Sequence, residues 1–145
     1  MKVRFKKLHP NAVLPGYSKP GDAGLDLTAL TYQTESKHHV ISYHTGIAVE
    51  IPEGHVGLIF PRSSVYKTDL ILSNCVGVID SGYRGEIVFK YRMPRNEYFA
   101  GLARFQEGDR VGQMIIVPYP TIEVEEAEEL SDSERGEGGF GSTGK

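Results

Sequence analysis

Gly77-Val78-Ile79-Asp80-Ser81-Gly82-Tyr83-Arg84-Gly85-Glu86-Ile87 sets two short apolar runs on either side of Asp80-Ser81-Gly82. Turn residues between β-favouring runs predict a β-hairpin. Downstream, Glu86–Arg92 alternates, with Ile87, Phe89 and Tyr91 set against Glu86, Lys90 and Arg92, the period of a half-buried strand. Upstream, residues 47–51 and 56–60 read as strands joined by the turn Pro52-Glu53-Gly54. Residues 3–8 alternate apolar and basic side chains, and residues 111–117 are mostly apolar and read as buried. Only residues 64–72 leave room for one short helix. Turn signals recur about every 8–15 residues, as in small sandwiches and barrels. The expectation is an all-β fold, a small distorted β-barrel or jelly-roll, with one short helix.

The 145 residues fit one domain, and 39% hydrophobic against 24% charged residues is an ordinary soluble balance. A formal net charge of −3 argues against generic nucleic-acid binding but leaves room for a local basic pocket. No apolar run of about 18 residues is present, so no membrane span is expected. The basic start, Met1 to Lys7, lacks the apolar stretch of a signal peptide. Cys75 is the only cysteine, which excludes an intrachain disulfide and a CxxC zinc site and suits a reducing cytoplasm. A small buried side chain is the expectation for Cys75, and solvated loop positions for His38, His39 and His44.

Near residue 120 the character changes. Residues 123–129 are strongly acidic, and residues 136–144 hold five glycines. Such a stretch has little to bury and much backbone entropy to lose, so a disordered tail is one reading. Arg135 and Phe140 are odd in a plain tail and favour the other, an arm that orders over a ligand. The chain therefore divides into a catalytic body, 1–122, and a C-terminal arm, 123–145.

Four further segments join the first in combining tight-backbone residues with a few polar or aromatic ones. They are Ala23-Gly24-Leu25-Asp26-Leu27, Pro61-Arg62-Ser63-Ser64, Gly108-Asp109-Arg110-Val111-Gly112-Gln113, and Arg135-Gly136-Glu137-Gly138-Gly139-Phe140-Gly141-Ser142-Thr143-Gly144. From the residues alone, Asp26 reads as a turn cap, Arg62-Ser63-Ser64 as a helix start that could also receive phosphate, and the fourth segment as a turn feeding a buried strand. The Gly-rich run lacks the Lys-Ser/Thr of a Walker motif. Together, and in this order, the five segments resemble the five motifs of the trimeric dUTPase family, over residues 23–144.

That resemblance implies hydrolysis of dUTP to dUMP and pyrophosphate, which keeps uracil out of DNA. It makes the Asp80 segment a uracil pocket, in which Asn74 and the backbone around Gly77 and Ile79 match the base and Tyr83 stacks under the deoxyribose. Asp80 becomes the general base for a water attacking the α-phosphorus. Arg62, Ser63, Ser64 and Gln113 become phosphate-binding residues, with Asp26 orienting basic partners and Asp109 and Arg110 supporting the site as an ion pair. Arg135, Phe140, Gly141, Ser142 and Thr143 would close over the substrate, Phe140 stacking on the base. Mg2+ would ride chiefly on the phosphates and water, since no protein cage is evident. The resemblance further implies a homotrimer with shared sites, and no nucleic-acid or membrane partner.

Two departures from the family pattern matter. Ser64 and Gly112 stand where glycine and alanine are usual; the Gly112 change is expected only to loosen its strand. The related dCTP deaminases carry their deamination carboxylate ten residues beyond the hairpin aspartate, and here that residue is Lys90. A binding module that recognises dUTP without hydrolysing it is the rival from another class, and pyrophosphate release discriminates.

Overall fold

A computed structural model describes residues 1–93 and 104–139. Nine strands run β1 Arg4–Lys7, β2 Leu25–Thr28, β3 Thr31–Glu35, β4 Val40–Glu50, β5 His55–Phe60, β6 Ile71–Leu72, β7 Gly77–Ile79, β8 Glu86–Arg92 and β9 Arg110–Pro118. The pairings between them are antiparallel. One sheet has the order β1-β4-β8-β6, with β3 also on β4; the other has the order β2-β9-β5-β7. The all-β expectation holds, but the barrel does not: the two sheets remain separate and pack as a sandwich. The alternation in β8 explains the packing, because Ile87, Phe89 and Tyr91 are buried while Lys90 and Arg92 are exposed.

An aromatic group fills the space between the sheets. Tyr43 of β4 lies 5.9 Å from the rings of both Tyr91 and Phe105. Burial of these phenols demands partners for their hydroxyls. The Tyr91 hydroxyl donates to the Val111 carbonyl at 2.6 Å, joining β8 to β9 across the sandwich. That of Tyr43 donates to the Phe105 carbonyl at 3.2 Å. Burial pushes the Tyr43 phenol up to about 12 and raises that of Tyr91 as well.

Gly112 has a larger role than a loosened strand. A Cβ there would overlap the Phe89 ring, so the missing side chain makes room for a phenylalanine on the opposite sheet.

Two local expectations are corrected. The Asp80 segment is no hairpin: β7 pairs only with β5, whereas β8 pairs with β4 and β6 in the other sheet. The turn closed by Tyr83 N–H on the Asp80 carbonyl, 3.0 Å, is instead a corner between sheets. Turn chemistry foretold the reversal, but long-range partners decided the pairing. The short helix is a single stretch of 3-10 helix, Ser63–Lys67, with no side-chain cap on its N-terminus.

Among the described residues beyond β9, Tyr119 is tied to the body by its N–H on the Gly54 carbonyl at 3.0 Å. Residues 118–137 are exposed throughout. Among the described residues, no helix is long and apolar enough to cross a membrane.

Candidate active site

The strand order β2-β9-β5-β7 sets four of the five motif segments side by side. Asp26 on β2 is level with Gln113 on β9, which is level with Phe60 on β5. Pro61-Arg62-Ser63 follows at once, so the first, second and fourth segments meet at one end of this sheet. A cavity of about 300 Å³ lies there, lined by Ser18, Gly24, Asp26, Arg62, Ser63 and Gln113 among others. Ser64 is half-buried and does not line it.

Asp26 organises this cavity. One carboxylate oxygen takes Arg62 Nε at 2.8 Å, and the other takes Arg110 at 2.9 Å and the Ser18 hydroxyl at 2.9 Å. Arg110 also donates to Ser18. The aspartate side chain is only 12% exposed, which strengthens charge-assisted bonds. One carboxylate thus holds two guanidinium groups at the cavity wall. Gln113 is held through Nε2 on the Pro61 carbonyl, 3.1 Å. Gly24 allows that side chain its place, since a Cβ at 24 would overlap the Gln113 amide. The expected pair between Asp109 and Arg110 does not form. Arg110 turns to Asp26, while Asp109 accepts the Gln106 amide at 2.7 Å and closes its own turn. A helix dipole contributes little here, because one stretch of 3-10 helix has few aligned peptides.

The third segment builds a second cavity, of about 480 Å³, lined by Ile79, Asp80, Tyr83, His44, Glu86 and Lys90 among others. It shares no lining residue with the first. β7 is the outer strand of its sheet, so the backbone edge turned away from β5 has no strand partner among the described residues. Asn74 reaches Gly77: a Cβ at 77 would lie 3.2 Å from its Nδ2. The Tyr83 hydroxyl donates to the Glu86 carbonyl at 3.0 Å. Asp80 is exposed, and its carboxylate makes no hydrogen bond or ion pair with the described residues.

The two groups diverge along the sheet. Ile79 is level with Gly57, and Arg62 lies five residues further on, just past the end of β5, roughly 16 Å on an extended path.

Other expectations change at the side-chain level. His44 sits in β4, not a loop, and its Nδ1 meets Glu86 at 2.9 Å, while the other Glu86 oxygen accepts the Gly46 amide at 2.7 Å. Sequence spacing hid this pair, because the bulge in β4 between His44 and Ala48 creates it. Cys75 is exposed, in a left-handed conformation with φ 59°. Lys90 lies 3.6 Å from Glu35. Arg135 donates to the Gly138 carbonyl within the tail at 2.8 Å. Phe140, Gly141, Ser142 and Thr143 lie outside the described residues.

Among the described residues, no group of three or more His, Cys, Asp or Glu could hold a metal. Asp26 is committed to two guanidinium groups.

A sequence model of the dUTPase family matches residues 10–144. The deoxyuridine 5'-triphosphate nucleotidohydrolase of Hydrogenobaculum sp. is 41% identical over 147 residues, covering 99% of each chain. That of Picosynechococcus sp. is 39% identical over 145 residues, again covering 99% of each. Among solved structures, a mutant dUTPase of Staphylococcus bacteriophage 80alpha with dUpNHpp superposes with a TM-score of 0.84 at 32% identity, covering 99% of each chain. A mutant dUTPase of phage phi11 of S. aureus, described as revealing the coordination of a structural Mg(II) ion, has a TM-score of 0.74 at 27% identity. It covers 90% of this chain and 99% of that one. With four motif segments laid on adjacent strands and a family match over nearly its whole length, this chain belongs to the dUTPase family.

Proposed function

We propose that the chain hydrolyses dUTP to dUMP and pyrophosphate, with Asp80 as the general base. The observation that carries this reading is the Asp80 carboxylate, without a partner among the described residues, at the head of a turn beside the outer edge of β7. A water held there loses its proton to Asp80 as its oxygen bonds to the α-phosphorus. The bond from that phosphorus to the bridging oxygen breaks, and pyrophosphate leaves. A positioned base supplies about 10²–10⁴-fold in rate.

The edge of β7 supports uracil as the base. Amide and carbonyl groups along Gly77–Ile79 offer the complement of a uracil edge, as a neighbouring strand would. Cytosine would set a donor against a donor and leave buried groups unpaired, which is a strong rejection. The 44% exposed Tyr83 ring is available to stack under a deoxyribose.

The triphosphate belongs with Arg62, Ser63 and Gln113. When bound, Mg2+ would be held by the substrate's phosphates and water and would offset charge on the departing pyrophosphate. The divergence of Asp80 and Arg62 within one chain favours a site completed between subunits of a homotrimer. Residues 123–145, exposed as far as 137, are then the arm that carries Arg135 and Phe140 to a neighbour.

Turnover in water labelled with heavy oxygen tests the chemistry. Label is expected in the dUMP phosphate; label in the pyrophosphate would refute attack at the α-phosphorus.

A further inference from the structure

Arg84 follows Tyr83 in the corner and points away from the Asp80 cavity. Its NH1 donates to the Ser81 carbonyl at 2.6 Å and to the Tyr83 carbonyl at 2.9 Å. Its NH2 lies 4.0 Å from Glu50 at the end of β4, and Glu50 is itself bonded to Arg4 of β1. These residues line a cavity on the far side of the corner, together with Ser81 and Gly82. The guanidinium therefore ties two carbonyls of the turn, Ser81 and Tyr83, to the framework of the other sheet. From the front, the same turn is fixed by Tyr83 N–H on the Asp80 carbonyl and by the Tyr83 hydroxyl on the Glu86 carbonyl.

We propose that Arg84, seated against Glu50, is a positioning residue that sets the angle at which the Asp80–Tyr83 corner presents its carboxylate. The inference rests on the reading of Asp80 as general base. Physical chemistry gives the reason for arginine. Among the described residues Asp80 has no side-chain partner to fix it, so its direction comes from the backbone that carries it. A planar guanidinium with several donors can hold two carbonyls and face a carboxylate at once; a lysine ammonium is a point charge without that fork. The Glu50 contact is half-exposed and contributes little energy by itself. It acts by orienting the fork.

The test uses steady-state kinetics, melting temperature and binding of a non-hydrolysable dUTP analogue for Arg84→Lys, Arg84→Met and Glu50→Gln in the full-length protein. For Arg84→Lys we expect kcat to fall roughly 10- to 100-fold, since a base displaced by about 1 Å costs that much. Melting temperature and analogue affinity should stay near the parent's, and Glu50→Gln should fall in the same sense by less. If Arg84→Met fails to fold, Arg84→Lys decides. A kcat for Arg84→Lys within about threefold of the parent overturns the proposal, as does a rise in KM with kcat unchanged. Asp80→Asn runs alongside: its inactivity beside a fully active Arg84→Lys removes only the positioning role. Full activity of Asp80→Asn removes the base assignment and the positioning role with it.

Discussion

The two cavities solve opposite problems. Around Asp26 three side chains are bound to one carboxylate, and both guanidinium groups are held before any ligand arrives. Around Asp80 the backbone does the holding; among the described residues the Asp80 carboxylate is left unengaged, while Glu86 beside it is held by His44 and the Gly46 amide. A cavity for a polyanion gains from fixed positive charge, which spares the ordering of long side chains on binding. A carboxylate meant to take a proton gains from having no competing donor. On the proposed reading, charge pairing on one side and backbone bracing on the other are what binding and chemistry separately require.

Substitutions can break this division. Asp80→Asn should lower kcat by about 10²–10⁴-fold with analogue binding kept, measured by pyrophosphate release. Arg62→Ala should instead weaken analogue binding, with loss of a charge-assisted contact of about 1.5–3 kcal/mol. Co-refolding the two variants sharpens the contrast further. If one subunit supplies Asp80 and another Arg62, random mixing restores roughly a quarter of the sites in a trimer. No recovery would mean that each chain builds its own site. The sandwich beneath should be insulated from both. Tyr91→Phe leaves the Val111 carbonyl without its donor and should cost about 1–3 kcal/mol in urea unfolding, with little change in kcat. The smallest effect concerns alkali. The Tyr43 phenol titrates near 10 when unfolded and about 12 when folded, so the folded chain retains that proton longer. Stability is therefore full below pH 10 and declines through pH 12. A melting temperature that is flat over that range would contradict the burial of Tyr43.

Much of this was legible beforehand, for local reasons. β8 announced itself because inward and outward residues alternate without interruption. The five segments were recognisable because tight backbone and chemistry fall together within a few residues. What stayed hidden depended on distant partners. The partner of Gly77–Ile79 is β5, not β8, and nothing within eleven residues reveals that. β2 and β6 have four and two residues, too short for a period to emerge. The His44–Glu86 pair needs a bulge, and the Arg84 fork reads in sequence as one more surface charge. Adjacency of Asp109 and Arg110 misleads, because Asp109 closes the turn before β9 and the acid that Arg110 meets lies on the neighbouring strand β2.

Gly112 and Phe89 occupy what is in effect one volume apportioned between two sheets. Alanine at 112 alone should overpack the interior by about 1–3 kcal/mol, and a smaller residue at 89 alone should open a void. Change at both together can be nearly neutral. The two positions are thus expected to be epistatic, each fixing which substitutions the other tolerates, so a lineage reaches alanine at 112 most easily after its phenylalanine has already shrunk.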